Sequence, residues 1–341
     1  MHPVRLVAAA TIVCIGYALV SRSDAASFTI TDLGAGSADA INQRGEVVGS
    51  AWIGHSLHAT LRRGSNFIDL GPSDVQYSHA VAINDAGLVV GYLRGSPDWQ
   101  PVIWSPGASF VLPVYGYATS VNGFGKVAGW YLTGPADRLE QHAFVYENGA
   151  LSDLGSGYAR GINDIGQVVG NDPSTNRAVM WDGGSVRDLG DLGGGSALAS
   201  AINDRGQVVG FSWTASGDDH AFLWDAGSMT DLGTLAAGES RANAINNQGN
   251  IVGQLYDGET HAFLYSAGVI RRLDDLIPAG SGWLLADAYD INDLGQIVGS
   301  GTFGGETHGF LLTPVPEPAM LGLFGLAILA TAKRQGRGQR S

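Results

Sequence analysis

A short pattern returns seven times along this chain and leaves few folds open to it. A small residue and a branched aliphatic residue precede an asparagine, and two variable residues, a glycine and a β-branched run ending in glycine follow it. The seven asparagines are Asn42, Asn84, Asn122, Asn163, Asn203, Asn246 and Asn292. A repeat of roughly 40 residues is typical of propellers, in which each repeat forms one blade of antiparallel strands.

Each repeat predicts four strands. In the unit 199–233, four apolar runs, each too short for a helix and rich in β-forming residues, are separated by Gly, Asn or Asp. The Asn-x-x-Gly step predicts the first hairpin, because an asparagine side chain can bond to the backbone two residues on and glycine accepts a positive φ. Aromatic residues of the third strand, such as Phe222 and Trp224, are predicted to lie in the core.

The two ends of the repeat array complement each other. The last repeat has its third strand at 308–312 but lacks the fourth, which in other units ends in Asp-Leu-Gly. The segment 28–34 ends in Asp-Leu-Gly and precedes the first Asn pattern without a hairpin of its own. Residues 27–313 are therefore predicted to form an all-β, seven-bladed β-propeller with four-stranded blades, in which the N-terminal strand closes the last blade.

The first 26 residues have the features of a signal peptide. An apolar stretch runs from Leu6 to Val20, and Ser23-Asp24-Ala25 supplies the small residues that a signal peptidase requires. Cys14, the only cysteine, lies inside this stretch. The mature protein is therefore expected to have no disulfide and no thiol chemistry.

The C-terminal segment 314–341 has three parts. Pro316, Glu317 and Pro318 are followed by the apolar run 319–332, predicted to be a short helix, and then by a basic tail. This order resembles the PEP-CTERM sorting signal of Gram-negative bacteria. The resemblance implies exosortase-type sorting machinery as a partner, transient inner-membrane insertion through the apolar helix, and a final place on the outer surface or in the extracellular matrix.

Charge argues against several partners. The whole chain has a formal net charge of −13, and without the two end segments 13 basic and 30 acidic side chains remain. Such a balance opposes binding to nucleic acid or to anionic membranes. No cofactor is expected. The acidic residues of the Asn-x-x-Gly turns, Asp85, Asp164, Asp204 and Asp293, leave calcium ligation open as a weak alternative to a structural role.

The third strand of several repeats begins with His-Ala-Phe, as at 142–144, 220–222 and 261–263. These units resemble the HAF family of extracellular repeats. The resemblance spans most of residues 28–313 and implies an extracellular location, but it brings no activity with it. Two units have Gln100 or Arg177 in place of the histidine, and we expect the histidines to make local hydrogen bonds at the start of a strand rather than to bind a shared metal.

Loops that vary in length and composition contain the aromatic residues that we select as ligand-binding candidates. Aromatic side chains on a rigid scaffold suit stacking on sugar rings or contact with a protein partner. The nine candidates are Trp52, Tyr77, Trp99, Tyr117, Trp130, Tyr158, Trp213, Tyr256 and Trp283. A second set varies among the repeats three residues before each asparagine, as expected near a channel mouth, and comprises Asp39, Val81, Thr119, Arg160, Ser200, Asn243 and Tyr289.

Three functions remain open at this point. The leading hypothesis is a secreted or surface-sorted, non-enzymatic propeller that binds or organises matrix polysaccharide or a protein partner. A rival is a glycan hydrolase or lyase, for which His55, His79, Asp98 and Asp287 are the available acid-base groups. The third is a structural surface spacer without a specific ligand. Propellers serve both enzymes and binding proteins, so the fold cannot choose among these.

Overall fold

The computed structural model describes residues 27–316, except 96–97, 136–137 and 236–237. Within these residues, 28 strands form seven antiparallel four-stranded sheets, and one 3-10 helix covers Leu273–Leu276. The predicted seven-bladed β-propeller is confirmed. The predicted signal peptide and most of the sorting segment, including Glu317 and Pro318, lie outside the described residues.

The strands of blades 1–6 follow the chain from the innermost strand outward. Blade 1 contains β2 (Ala40–Ile41), β3 (Val47–Ile53), β4 (Ser56–Arg63) and β5 (Asn66–Asp69). Blade 2 contains β6 (Ser78–Ile83), β7 (Val89–Arg94), β8 (Trp99–Ser105) and β9 (Ala108–Val111). Blade 3 contains β10 (Gly116–Val121), β11 (Val127–Thr133), β12 (Glu140–Glu147) and β13 (Ala150–Ser156). Blade 4 contains β14 (Tyr158–Ile162), β15 (Val168–Asp172), β16 (Arg177–Asp182) and β17 (Ser185–Asp188). Blade 5 contains β18 (Gly193–Ile202), β19 (Val208–Thr214), β20 (Asp219–Asp225) and β21 (Ser228–Gly233). Blade 6 contains β22 (Glu239–Ile245), β23 (Ile251–Tyr256), β24 (Thr260–Ser266) and β25 (Val269–Arg272).

Blade 7 joins the two ends of the propeller. Its inner three strands are β26 (Trp283–Ile291), β27 (Ile297–Phe303) and β28 (Glu306–Pro314), and its outer strand is β1 (Phe28–Ala35). Phe28 pairs with Pro314, and the Val315 amide donates to the Ser27 carbonyl at 2.9 Å. The N-terminal strand therefore closes the last blade as predicted, and the folded body extends slightly beyond residue 313.

A closed ring of hydrogen bonds links the seven repeat asparagines. The Nδ2 of each one donates to the backbone carbonyl of the asparagine in the next blade, and Asn292 donates to Asn42 to complete the circle. The seven distances are 2.9–3.1 Å. Each Oδ1 also accepts the amide four residues on, which fixes the hairpin. One buried side chain thus shapes its own turn and binds the neighbouring blade.

The residue after each asparagine adds a second, more exposed ring. Backbone amides of these residues donate to side-chain oxygens of the equivalent residues in the next blade, as Asp164 does to Asp204 at 2.9 Å. The acceptors are Gln43, Asp85, Asp164, Asp204, Asn247 and Asp293. The ring is interrupted at Gly123, which has no side chain to accept a bond. These carboxylates therefore have a structural role between blades.

The repeat histidines bridge the third and fourth strands. In four blades the Nδ1 lies 2.8–3.0 Å from the Asp of the Asp-Leu-Gly sequence, as in His142 with Asp153 and His220 with Asp231. The His308 contact with Asp32 of β1 belongs to the closure of blade 7. In blade 2, where Gln100 replaces the histidine, Val111 stands in place of the aspartate. The expectation of local hydrogen bonds is confirmed in these four blades. In blade 6, Arg272 stands in place of the aspartate, and Nδ1 of His261 lies 3.6 Å from Asp274.

The core lies between the blades. The third-strand phenylalanines Phe144, Phe222, Phe263 and Phe310 are fully buried, as are the alanines four residues before each asparagine. The second-strand glycines are needed because they touch the inner strand: a Cβ on Gly170 would lie 1.8 Å from the Tyr158 carbonyl oxygen. Within the described residues, no helix is long and apolar enough to cross a bilayer.

Candidate functional site

Three aromatic side chains stand at one repeat position in consecutive blades. His79, Tyr117 and Tyr158 each precede the repeat asparagine by five residues, in blades 2, 3 and 4. His79 pairs across the sheet with Tyr92, and Tyr117 pairs with Trp130. Strands rise about 3.3 Å per residue, so these rings lie some 16 Å along the inner strand from the Asn turns. They occupy the opposite face of the propeller.

These rings contact one another from blade to blade. His79 stacks on Tyr92 with ring centroids 5.4 Å apart, and Tyr92 meets the edge of Tyr117 in the next blade at 4.6 Å. Tyr117 stacks on Trp130 at 4.7 Å, and Trp130 meets the edge of Tyr158 in blade 4 at 5.0 Å. Stacked and edge-to-face pairs at these separations stabilise each other beyond their burial. The result is a continuous aromatic surface across three blades.

The surface continues toward blade 1. Trp99 lies 5.3 Å from Tyr92, and Trp52 of blade 1 lies 6.4 Å from Tyr77. Arg94 joins the two groups, since its guanidinium carbon is 5.9 Å from the ring centroids of both Tyr77 and Trp99. We call this surface the aromatic arc. Its members are Trp52, Tyr77, His79, Tyr92, Arg94, Trp99, Tyr117, Trp130 and Tyr158.

Six of the nine candidates from the sequence fall in the arc, and three do not. Trp213 and Tyr256 are half-exposed on blades 5 and 6, and no ring contact among the described residues joins them to the arc. The prediction that Trp283 binds a ligand is wrong, because only 7% of its surface is exposed. It stacks on Phe303 at 5.0 Å and touches the edge of Phe310, inside the core of blade 7.

Tyr92 is a central member of the arc that the loop-based selection missed. It lies inside β7, directly after Gly91, rather than in a variable loop. Trp130 has the same place after Gly129 in β11, and both pair with an aromatic residue of the inner strand. A comparison of equivalent strand positions among the repeats would have found it.

Two carboxylates lie beside members of the arc. Asp39 of blade 1 lies 3.2 Å from Nε2 of His79. Burial raises the pKa of Tyr92, with further contributions from Tyr117 and Asp39. Burial and the nearby Asp98 likewise raise the pKa of Tyr117. Both phenols therefore stay neutral over the physiological pH range and can donate hydrogen bonds to a ligand.

Residues three before each asparagine form bulges in the inner strands. The strand register shifts at this position in six blades, as between Ala118 and Ser120. Several of these side chains reach the next blade: Thr119 donates to the Ala159 carbonyl at 2.9 Å and Asn243 to the Ala288 carbonyl at 3.0 Å. Part of the set of variable residues three before each asparagine therefore links neighbouring blades.

Two carboxyls of blade 7 are unusually hard to ionise. Burial raises the pKa of Asp287 to about 7, although Asn243 donates to it at 2.7 Å. Burial also raises the pKa of Asp290 to about 6, against bonds from the Ile41 and Ile291 amides. Asp290 occupies a position that is Ala, Ser or Gly in the other six blades. Around pH 5, both carboxyls are therefore mostly protonated in the folded protein but mostly ionised in the unfolded chain.

Asp287→Asn is expected to stabilise the protein at pH 8 and to have little effect at pH 4. Because the folded pKa of about 7 lies above the unfolded value, stability falls as pH rises through this interval. Asparagine keeps an oxygen for Asn243 and removes the charge, which should raise the free energy of unfolding by about 2–4 kcal/mol at pH 8. Urea unfolding at both pH values measures this. Asp98→Asn, at an exposed site, serves as the control, and an equal gain at both pH values would contradict the prediction.

The four acid-base candidates have separate surroundings. His79 contacts Asp39, Asp98 accepts the Trp99 amide at 2.8 Å, and Asp287 is bound to Asn243. His55 is exposed in the turn between β3 and β4. Across the part of the chain that the structure covers, no group of three or more His, Cys, Asp or Glu residues could hold a metal ion.

The opposite mouth of the channel is built from the Asn turns. A cavity of about 390 Å³ is lined there by the repeat asparagines, their branched neighbours and the residues that follow them. Asp85, Asp164, Asp204 and Asp293 accept amides across this mouth. Those bonds support the structural alternative, and calcium ligation stays a prediction.

Comparison with known proteins concerns both the tail and the fold. Residues 314–337 match the model of the PEP-CTERM protein-sorting motif. This chain carries that motif. The motif is a substrate signal for exosortase-type sorting machinery and implies export and surface sorting in a Gram-negative bacterium. No curated protein matches the sequence.

Solved structures similar to this chain share its fold at low identity. A puromycin-hydrolyzing peptidase from Mycobacterium tuberculosis matches with a TM-score of 0.56 and 13% identity, covering 81% of this chain and 53% of the peptidase. The chain thus spans about half of that enzyme. An oligogalacturonate lyase in complex with manganese matches at 0.54 and 13%, covering 84% and 91%. YCF48 bound to D1 peptide matches at 0.54 and 13%, covering 87% and 97%.

Proposed function

We propose that this surface-sorted propeller is a non-enzymatic binding protein whose aromatic arc binds an extended, uncharged polysaccharide of the extracellular matrix. The continuity of the arc over four adjacent blades is the observation that carries the proposal. Ring contacts connect blade 2 to blades 3 and 4, and Arg94 links the Trp52–Tyr77 pair of blades 1 and 2 to the same surface. A surface of this extent suits a long ligand rather than a single sugar.

The chemistry of the arc favours sugar rings. The face of an aromatic ring is electron-rich and attracts the C–H groups that cover one side of a pyranose, while Tyr hydroxyls and the indole N–H can bond to sugar hydroxyls. The rings are half-buried and hold each other in place, so a ligand loses little affinity in ordering them. The excess of acidic over basic side chains repels polyanions, which favours an uncharged polysaccharide.

Removing aromatic side chains from the arc is expected to abolish glycan binding. The variant Trp52→Ala, Trp99→Ala and Tyr117→Ala loses three rings, each worth more than about 1 kcal/mol at the centre of an interface, so affinity should fall at least about 100-fold. The matched control, Trp213→Ala with Tyr256→Ala, removes half-exposed aromatics outside the arc and should change affinity less than about threefold. A glycan array followed by titration of the hits on residues 27–316 measures both, with thermal unfolding to verify the fold.

Other outcomes separate the alternatives. Equal losses in the two variants would place the ligand elsewhere than the arc. A folded protein that binds no glycan would favour a protein partner or a structural spacer. Release of reducing ends or unsaturated products from a bound glycan, lost in Asp287→Asn, would instead support the hydrolase or lyase alternative, because a carboxyl with a pKa near 7 is suited to general acid-base chemistry.

A further inference from the structure

Three of the Asn-x-x-Gly turns expose large apolar side chains at their tips. The tip is the third residue of each turn, and the seven tips are Arg44, Ala86, Phe124, Ile165, Arg205, Gln248 and Leu294. Phe124, Ile165 and Leu294 are 77%, 70% and 64% exposed. The turns themselves need only the asparagine and the glycine, so the fold gives no reason for apolar tips. We call the side of the propeller that bears them the turn face.

Both ends of the folded body lie at this turn face. Inner strands run toward the Asn turns, and β28, two strands further out, runs in the same direction and ends at Pro314. A Cβ on Gly295, in the turn of blade 7, would lie 3.2 Å from Cγ of Pro314. The partly exposed Val315 follows, and its amide bonds to Ser27. The described chain therefore ends close to the turn of blade 7, which carries Leu294 at its tip.

The sequence that leaves there contains an apolar run. Only Glu317 and Pro318 separate Pro316 from the run 319–332, which is followed by seven cationic or polar residues and two glycines of the tail. Three residues of chain span at most about 11 Å. If the run is inserted in a membrane, as the sorting motif and the composition indicate, the turn face cannot be far from the bilayer surface.

We propose that the turn face is a bilayer-contacting surface. While the chain is held through residues 319–332, the tips Phe124, Ile165 and Leu294 lie against the headgroup region of a membrane composed of zwitterionic lipids. The aromatic arc, at the other ends of the same strands, then points away from the membrane toward the matrix. This orientation does not depend on which ligand the arc binds.

The placement of the tips fits a flat partner. Phe124 and Ile165 lie on the adjacent blades 3 and 4, and Leu294 lies on blade 7, across the ring. Because the three tips are spread around the ring, a flat surface such as a bilayer can contact all three at once. The turns of this face contain four aspartates, Asp85, Asp164, Asp204 and Asp293, against the two arginine tips, Arg44 and Arg205. This excess of acidic side chains disfavours anionic lipids. Contact by three side chains is weak alone, and the C-terminal attachment supplies the high local concentration that it needs.

Fluorescent labels on the two faces test the orientation. The full chain with Cys14→Ser contains no other thiol, so Ala86→Cys labels the turn face and His55→Cys labels the opposite face. Each labelled chain is reconstituted through its C-terminal segment into phosphatidylcholine vesicles that contain a shallow spin-labelled lipid as quencher. Quenching at Ala86→Cys is expected to exceed that at His55→Cys at least threefold.

A tip variant separates contact from mere proximity. Phe124→Ser, Ile165→Ser and Leu294→Ser should at least halve the quenching of the Ala86→Cys label, whereas Gln248→Ser, a polar tip, should leave it unchanged. The tips are exposed, so the variants should fold, and circular dichroism verifies this. Equal quenching at the two faces would overturn the proposal. Quenching that the tip substitutions leave unchanged would also overturn it. So would a label on the turn face that is shielded from water but not quenched by lipid, which is the result expected if residues 319–332 themselves cover the tips.

Discussion

Deletion of residues 27–35 is expected to abolish the cooperative unfolding of the propeller. Without β1, the outer edge of β28 loses its whole ladder from Phe28–Pro314 to Ala35–His308, and the His308–Asp32 contact goes with it. Phe28 also leaves the core cluster of blade 7, which includes Leu312 and Phe310. We expect a loss of more than about 5 kcal/mol, a large part of the 5–15 kcal/mol typical of a folded domain. Urea unfolding followed by circular dichroism measures it.

A circular permutant provides the control for this deletion. Because Ser27 and Val315 are hydrogen-bonded neighbours, a short hairpin loop can join Pro314 to Ser27 in a chain that starts at Ser37 and ends at Ala35. This permutant contains the same strands and should keep the cooperative transition. A deletion variant that unfolds like the intact chain would show that blades 1–6 and three strands of blade 7 suffice. Failure of the permutant alone would show that the position of the break matters more than the strand.

Much of this fold could be predicted because its determinants are local and repeated. The Asn-x-x-Gly sequence specifies a hairpin within four residues, and seven copies specify seven hairpins. The missing fourth strand after His308 and the unpaired strand before Asn42 were both visible in the sequence, so closure followed from counting. The pairing of His with the Asp eleven residues on could not be read as reliably, because it recurs in three repeats but Arg177 keeps Asp188 and His261 has Arg272 at that spacing.

The functional surface was less predictable because its contacts join different blades. Tyr92 and Tyr117 touch although they lie 25 positions apart, and neither residue alone indicates the other. Trp283 resembled a loop aromatic, but β26 begins at this residue and pairs it with Phe303, which takes the ring into the core. Burial of a side chain at a strand end depends on how far the strand extends, and boundaries are the part of a sequence prediction that local signals fix least.

Contacts between blades were also missed for the asparagine side chains. Their bond to the backbone of their own turn was predicted, and the structure confirms it, as in the bond from the Arg44 amide to Asn42. The bond from each Nδ2 to the next asparagine was not predicted, because its partner lies about one repeat away. This missed contact explains why the residue is Asn at all seven positions. Aspartate would supply the acceptor that the turn needs but, when ionised, not the donor that the ring needs.

Asn122→Ala is accordingly expected to destabilise the propeller by about 3–5 kcal/mol. The side chain is buried, donates to the Asn163 carbonyl at 3.1 Å and accepts the Lys126 amide at 2.9 Å. Alanine leaves the partly buried amides of Lys126 and Phe124 without their side-chain partner and breaks the ring between blades 3 and 4, and each unsatisfied buried group costs about 1–3 kcal/mol. Asp164→Ala, which removes a bond of the exposed second ring, should cost about 1 kcal/mol or less, and urea unfolding compares the two.

Asn122→Asp isolates the bond between blades. It keeps the oxygen that accepts the Lys126 amide, so the hairpin should persist, but an ionised carboxylate cannot donate to the Asn163 carbonyl. Its folded pKa should be raised, because burial beside a carbonyl oxygen disfavours the charge. Stability should then rise as pH falls toward 4, where the protonated carboxyl can donate again. Equal destabilisation by Asp at pH 8 and pH 4 would mean that the turn, and not the ring between blades, is what Asn122 supports.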